Sequence, residues 1–408
     1  MARTKKKISA HAANDLLLLQ TIVDQVRANE NRSDRFAIEN TNHTDRPTSF
    51  RTKHPRRTAN SLPAKLLQPS HSPGYSEFLL PATRLYTHFL EHALPIFHCL
   101  IHTVPKVLAR KKTSDLRIWI FPEPLLALTK EQKESTLHYM GRIGEAVDWD
   151  VHEAKEDAGL NEADDGMTTM QCDRPLLRWG LSGWGSTITS SRKLVQAVED
   201  AARAGDDTAG EKWHSFCLAR LWLHEMSHAV VNAVLPSNTE KQEVFLGTNA
   251  STSEVGFEVE QRVFGGCIHN QEEMVPWKGK VCLEEWPDSR TLADLRRMGI
   301  QIETRGSSRA LTKEWIVLWK VESEFWERMF EEEFWLQDSI MSNPAALHPE
   351  KSVGIMDVFR VTTVAEKAAI AGEMRSMGYA EVEYRLWARQ ASADDTDGIE
   401  AGTASEKR

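Results

Sequence analysis

Cysteine is scarce and scattered: five residues in 408 (Cys99, Cys172, Cys217, Cys267 and Cys282), an odd number without CxxC spacing. That argues against a disulfide framework and leaves no thiolate set for a zinc site. Long apolar runs are missing too. No stretch approaches the roughly 18 apolar residues of a membrane span. The LLLL at 16–19, within the basic opening MARTKKKISAHAANDLLLLQ, is too short for the apolar core of a signal peptide. A soluble, intracellular protein, cytoplasmic or nuclear, is expected. The chain also lacks internal repeats, a Gly-rich phosphate loop and a G-x-S-x-G elbow. Positive charge is not in excess. The net charge of −9 argues against nucleic-acid binding by the chain as a whole. Residues 1–75 alone are basic, with 13 Lys or Arg against 6 Asp or Glu, and RTKHPRR at 51–57 offers at most a weak polyanion contact or a nuclear-import patch.

What is present is enough apolar material for a sizeable core: 41% hydrophobic residues, 13 of them Trp. The composition divides the chain into a basic segment at 1–75, expected to be disordered apart from a short helix at Asp15–Arg27, a body at 76–390, and an acidic disordered tail at 391–408. Within the body, residues 84–104 have helical spacing broken at Pro95, RIWIF (117–121) reads as a buried strand, and 128–147 as an amphipathic helix. Residues 176–191 suggest one or two strands, and GSTITSS (185–191) reads either as an edge strand along which an extended peptide pairs or as a strand inside the core sheet. Residues 210–235 form a long helix ending near Pro236. Residues 251–266 form another, with Ser251 as N-cap and Gly265–Gly266 as stop signal. Residues 311–337 read as a long amphipathic helix, with Trp315, Leu318, Trp319, Phe325, Trp326, Phe330 and Phe334 on its apolar side. Helices should outnumber strands, and the strands should precede the 210–235 helix. The fold class is α+β, helix-rich, with a small mixed sheet packed on that helix.

The chemistry concentrates at LWLHEMSHAVVNAVL (221–235), an apolar run interrupted by His224, Glu225 and His228. A buried polar group without a partner costs roughly 2–7 kcal/mol, so something should compensate these three. HEMSH is an HExxH motif. Residues four apart share a helix face, so His224 and His228 can offer ring nitrogens to one ion. Zinc suits imidazole donors and a changing coordination number. Glu225 lies about 100° further round the helix, beside the ion, where it can take a proton from the water that the metal polarises and return it to a leaving amine. The competing reading is two satisfied core histidines beside a buried Glu.

A third ligand should come from downstream. The extension HExxHxxGxxH is absent, since Val231 and Val234 occupy those positions, which leaves the carboxylates of SEVGFEVEQRVFGG: Glu254, Glu258 and Glu260. Glu254 is the expected ligand. On a regular helix Glu258 shares its face and would orient a ligand histidine, while Glu260 points elsewhere. Glu254 could instead complete a capping box with Ser251, and Gly256 permits close approach to another helix. His88, Glu91, His92, His98 and His102 are spaced for a helix and read as surface histidines rather than a second metal site. His269, His348, Tyr379 and Tyr384 are candidate oxyanion stabilisers.

HEMSHAVVNAV, the Glu254–Gly256–Glu260 pattern, FGG at 264–266 and Phe334–Trp335 together resemble the zincin-like, glutamate-zincin type of metallopeptidase fold, and in particular a group of fungal HExxH proteins of uncharacterised activity. The similarity covers about residues 175–340. It implies a zinc-metallopeptidase-like fold and no particular substrate, and its pattern pairs Glu254 with Glu260 rather than Glu258. The Asn-Glu-x-x-Ser-Asp run of common glutamate zincins is missing. The expected function is zinc-dependent hydrolysis of peptide bonds in a protein or peptide substrate, with Zn2+ on His224, His228 and Glu254 and with Glu225 as base. The alternative is a non-catalytic interaction protein that keeps the fold.

Overall fold

The computed structural model describes residues 78–109, 117–152, 166–204, 208–236, 242–247, 250, 254–270, 281–284, 315–337, 339–340, 343–358, 364–383 and 386–390. The expectations for the two tails, the 15–27 helix, Ser251 and Tyr384 lie outside the described residues. No helix among the described residues is long and apolar enough to cross a membrane.

The chain is α+β. Helix α1 (Leu80–His92) is followed after Ala93 by α2 (Leu94–His102). Pro95 sits in the first turn of α2, where its missing N–H costs nothing, whereas a continuous helix would have needed that donor. Strands β1 (Lys106–Ala109) and β2 (Arg117–Phe121) precede α3 (Lys130–Glu145). A capping box starts α3: the Gln132 amide donates to Thr129 Oγ1 at 3.2 Å and the Thr129 amide to Gln132 Oε1 at 2.9 Å, a device worth about 1 kcal/mol. Then come β3 (Val147–His152), β4 (Gly166–Pro175) and β5 (Trp184–Ser191), and α4 (Arg192–Ala204).

Helix α5 (Thr208–Val234) is 27 residues long, about 40 Å at 1.5 Å per residue. It packs against α1, α2, α4, β4 and β5, so it is wrapped on most sides. That explains its nearly unbroken apolar sequence, since a helix hydrophobic all round belongs inside. Phe216, Leu218, Trp222, Leu223 and Val230 are fully buried. Edge-to-face contacts of Phe89 with Phe216 and Phe264 (5.9 and 4.9 Å between ring centroids) pin α1 to α5 and to the helix that follows it; such pairs are worth about 0.5–1.5 kcal/mol beyond their burial.

Beyond α5 lie β6 (Gln242–Leu246), α6 (Val255–Phe264), β7 (Cys267–Asn270), β8 (Val281–Glu284) and β9 (Trp315–Lys320). The short helices α7 (Ser323–Glu327) and α8 (Glu332–Trp335) come next, then β10 (Val353–Val358), α9 (Val364–Ser376), β11 (Tyr379–Glu383) and β12 (Leu386–Arg389). Three sheets result: β1-β2-β6, β3-β5-β4 and β11-β12-β10-β9-β8-β7. The second is mixed, parallel between β3 and β5 and antiparallel between β5 and β4, and it packs on α5 as expected.

Of the two readings offered for GSTITSS, the strand inside a sheet holds: it is the central strand of β3-β5-β4, both of its ladders are occupied, and β4 is an outer strand. Two expectations fail. The 311–337 stretch is not one helix. Its first part is β9, paired with β8 and β10 (Trp319 opposite Leu283, Leu318 opposite Ile355). Val317, Leu318 and Trp319 are consecutively buried, as in a strand covered on both faces, and so short an apolar run has no periodicity that separates strand from helix. Finally, the strands do not all precede the long helix: among the described residues, seven follow α5.

Candidate metal centre

His224 and His228 project from one face of α5, with ring centroids 5.3 Å apart. Against them lies the start of α6. Glu254 is its N-cap and not a residue of its first turn: the backbone is extended there (φ −89°, ψ 112°), and the carboxylate accepts from the Gly256 and Phe257 amides at 3.1 and 2.6 Å. The same carboxylate meets His228 Nε2 directly and lies 3.7 Å from His224 Nε2. Glu254 is thus the N-cap of α6 and at the same time faces both histidines, so capping and proximity to the HExxH pair do not exclude one another. A carboxylate is favoured there because the helix N-terminus is electropositive.

Gly256 makes the approach possible. A Cβ built on it would stand 2.4 Å from His224 Nε2, so only glycine lets the first turn of α6 lie on the imidazole. Gly256→Ala should push α6 off α5, at a cost of about 1–3 kcal/mol for overpacking. Lower melting together with weakened zinc uptake is expected; wild-type values for both would show that the ring has room to move.

Glu260, one helical turn after Gly256 and on the same stripe, accepts from His224 Nδ1 at 2.8 Å. This corrects the expectation that Glu258 would orient a ligand histidine. Counting by fours from Glu254 fails because Glu254 is outside the helix; the face toward His224 is Gly256–Glu260. Glu258 turns to Arg262, whose Nε donates to its Oε1 at 2.6 Å, and Arg262 in turn reaches Glu123 and the Leu246 carbonyl. With Nδ1–H donating to Glu260, the neutral form of the His224 ring has its lone pair on Nε2, toward Glu254.

Behind Glu260 stands Arg220, donating from Nη1 to Oε2 at 2.7 Å. Arg220 lies four residues before His224 on the same stripe of α5, and it escaped the sequence reading; a guanidinium in so apolar a helix was the available signal. Burial opposes charge on both groups, but their proximity overrides it, raising the Arg220 pKa and holding the Glu260 carboxyl below its usual range. Burial likewise opposes protonation of His224, yet the carboxylates of Glu254, Glu260 and Glu225 prevail and raise it to about 9. Burial pushes Glu254 up, and the two histidines more than reverse this, leaving it well below the usual carboxylate range. The carboxylates around His224 therefore draw positive charge to that ring.

Glu225 is buried, and Thr168 of β4 holds it: the Thr168 hydroxyl lies 2.7 Å from Glu225 Oε2 and 2.9 Å from its carbonyl oxygen.

The donor set fits a divalent cation. One nitrogen each from His224 and His228 and one oxygen of Glu254 lie within 4.8 Å of one another, and donors of a tetrahedral zinc site stand about 3.3 Å apart, so small side-chain adjustments suffice. With neutral imidazoles, Glu225, Glu254 and Glu260 outweigh Arg220, a charge that a dication balances. No other group of this kind occurs among the described residues.

The remaining candidates have other surroundings. His88 stacks on Trp335 at 4.4 Å, His92 Nε2 lies 3.2 Å from the Pro344 carbonyl, and His98 and His102 lie beside Thr136 and Ser135. Burial lowers the pKa of all four histidines, so they are half-buried packing groups rather than surface residues. His269 faces Glu284, His348 the Arg262 carbonyl, and the Tyr379 hydroxyl donates to the Lys351 carbonyl; none of these contacts involves the His224–His228–Glu254 group. No protein-family model, curated protein or solved structure matches the chain.

Proposed function

We propose that this chain is a zinc-dependent metallopeptidase, with His224, His228 and Glu254 holding the ion. The observation that supports this reading best is the convergence of Glu254, from outside α6, on both histidines of the HExxH motif, with Glu260 behind His224. When bound, zinc would lower the pKa of a water at its open position to about 7 and polarise a carbonyl. Glu225 would move the proton: its carboxylate takes one from the attacking water as the oxygen bonds to the scissile carbonyl carbon, and passes it to the amine nitrogen as the C–N bond breaks. Thr168, bound to Oε2, would aim the carboxylate and leave Oε1 for the proton. An extended substrate would have to pair along an outer strand such as β4, since β5 is occupied on both sides.

Cleavage of a proteome-derived peptide library by the zinc-loaded chain and by Glu225→Gln tests this. The variant should keep its zinc and lose at least ~10²-fold in rate. Undiminished cleavage would mean that the water is activated elsewhere. Zinc without any cleavage in the wild type would point to the non-catalytic reading.

A further inference from the structure

Strands β7 and β8 pair antiparallel, with Cys267 opposite Glu284, Ile268 opposite Leu283, His269 opposite Cys282 and Asn270 opposite Val281. Residues directly opposite share a face of such a ribbon, and so do residues two apart on one strand. One face is therefore Ile268, Asn270, Val281 and Leu283. The other is Cys267, His269, Cys282 and Glu284, four side chains that are all of metal-ligating type. The proposed peptidase chemistry uses none of them as a ligand or base. Cys267 turns to Arg220, whose Nη1 lies 3.4 Å from its sulfur. The remaining three meet at one atom: His269 Nε2 is 3.8 Å from Cys282 Sγ and 3.3 Å from Glu284 Oε2.

A four-donor zinc site is not assembled here. Among the described residues, three donors lie within 4.8 Å of one another at His224, His228 and Glu254 alone, so the sulfur and the Glu284 carboxylate stand further apart than that. A sulfur and an imidazole nitrogen suit a softer ion that needs fewer ligands, and thiolate selects Cu(I). Bonds of about 2.0 Å to nitrogen and 2.3 Å to sulfur reach across the 3.8 Å gap with an angle at the metal of about 120°, that of a three-coordinate ion. Glu284 stands at the third position. Cys282 is fully buried with Leu318 and Ile355 packed near it, whereas the His269 and Glu284 side chains are partly exposed and give an ion its way in. We propose that Cys282 and His269, flanked by Glu284, form a second metal site that takes a single Cu(I) ion. On binding, the thiol proton leaves to solvent as the metal–sulfur bond forms, and the neutral imidazole keeps its one proton on Nδ1. Burial first, and then the Glu284 charge, push the Cys282 thiol up to about 12, so the ion itself has to displace that proton. The site shares no ligand with the HExxH centre and is independent of the zinc reading.

The test is an anaerobic titration of the full chain with Cu(I) against bicinchoninate, a coloured Cu(I) chelator, while the ultraviolet thiolate-to-copper band is followed. The chain carries Cys172→Ser, which removes its exposed thiol. Because the HExxH donors include no sulfur, the band reads the second site. Saturable transfer of about one equivalent is expected, and it should persist in His224→Ala, which disables the first site, and in Cys267→Ala. Cys282→Ala should abolish both the band and the transfer. His269→Ala should weaken Cu(I) at least ~10-fold through the loss of one donor, with melting of the metal-free protein little changed. That variant decides the matter if Cys282→Ala does not fold. The proposal is overturned if the band is missing or never saturates, if it survives Cys282→Ala, or if a folded His269→Ala holds Cu(I) like wild type.

Discussion

Replacing either His224 or His228 by Ala should take bound zinc from about one equivalent per chain to near zero, as read by elemental analysis after exposure to the metal and desalting. In the proposed site each imidazole would be one of three protein donors, and two donors alone would leave the ion without a closed face of ligands on the protein. Glu254→Gln probes the third donor more finely. Gln keeps an oxygen to accept from the Gly256 and Phe257 amides, so the N-cap of α6 survives, while the anionic oxygen facing both histidines is lost. Zinc affinity should fall sharply with melting of the metal-free protein little changed. If instead melting collapses and affinity holds, Glu254 is a cap and nothing more. Full zinc occupancy in both histidine variants would remove the site altogether.

Arg220→Ala should destabilise the metal-free fold by about 3–5 kcal/mol, the range for stripping one partner from a buried ion pair. Glu260 is 1% exposed and would keep its charge without the guanidinium, beside only the His224 ring and the Cys267 thiol. The loss should appear as a lower denaturant midpoint with an unchanged slope. The contrasting variant pairs Arg220→Met with Glu260→Leu: replacing both charges by apolar groups of similar size is near-neutral or stabilising in other buried pairs. Zinc affinity separates the two effects. With no carboxylate on Nδ1, the double variant should recover stability yet bind zinc roughly 10–100-fold more weakly, the usual cost of losing such a partner, and Glu260→Gln should show a similar deficit. An Arg220→Ala protein that melts like wild type would mean that the pair is not buried in solution as it is here.

The local features were legible without a fold. His224 and His228 converge because four residues make about one turn of any α-helix, and the apolar flanks declared that helix buried. The break near Pro95 is likewise written in a few adjacent residues. At 315–320 the same local reading failed: the five-residue apolar run WIVLW satisfies both periodicities, and pairing with β8 and β10 decided between them.

GSTITSS shows the same limit in another form. Whether a strand is central or at an edge depends on partners from 147–152 and 166–175, which local sequence does not specify. The carboxylates of 254–260 turned on a subtler point. The sequence by itself offered Glu254, Glu258 and Glu260, with Gly256 among them, because acids and a costly mid-helix glycine follow the HExxH helix. Regular helix spacing favoured Glu258 over Glu260 as the partner of a histidine. Their roles depended on where α6 begins, one residue after Glu254, since only residues inside the helix share faces at i and i+4. That start is set by how closely Gly256 packs on the His224 ring, a contact between segments more than thirty residues apart, and so the tertiary structure alone assigned Glu260 to His224 and sent Glu258 to Arg262.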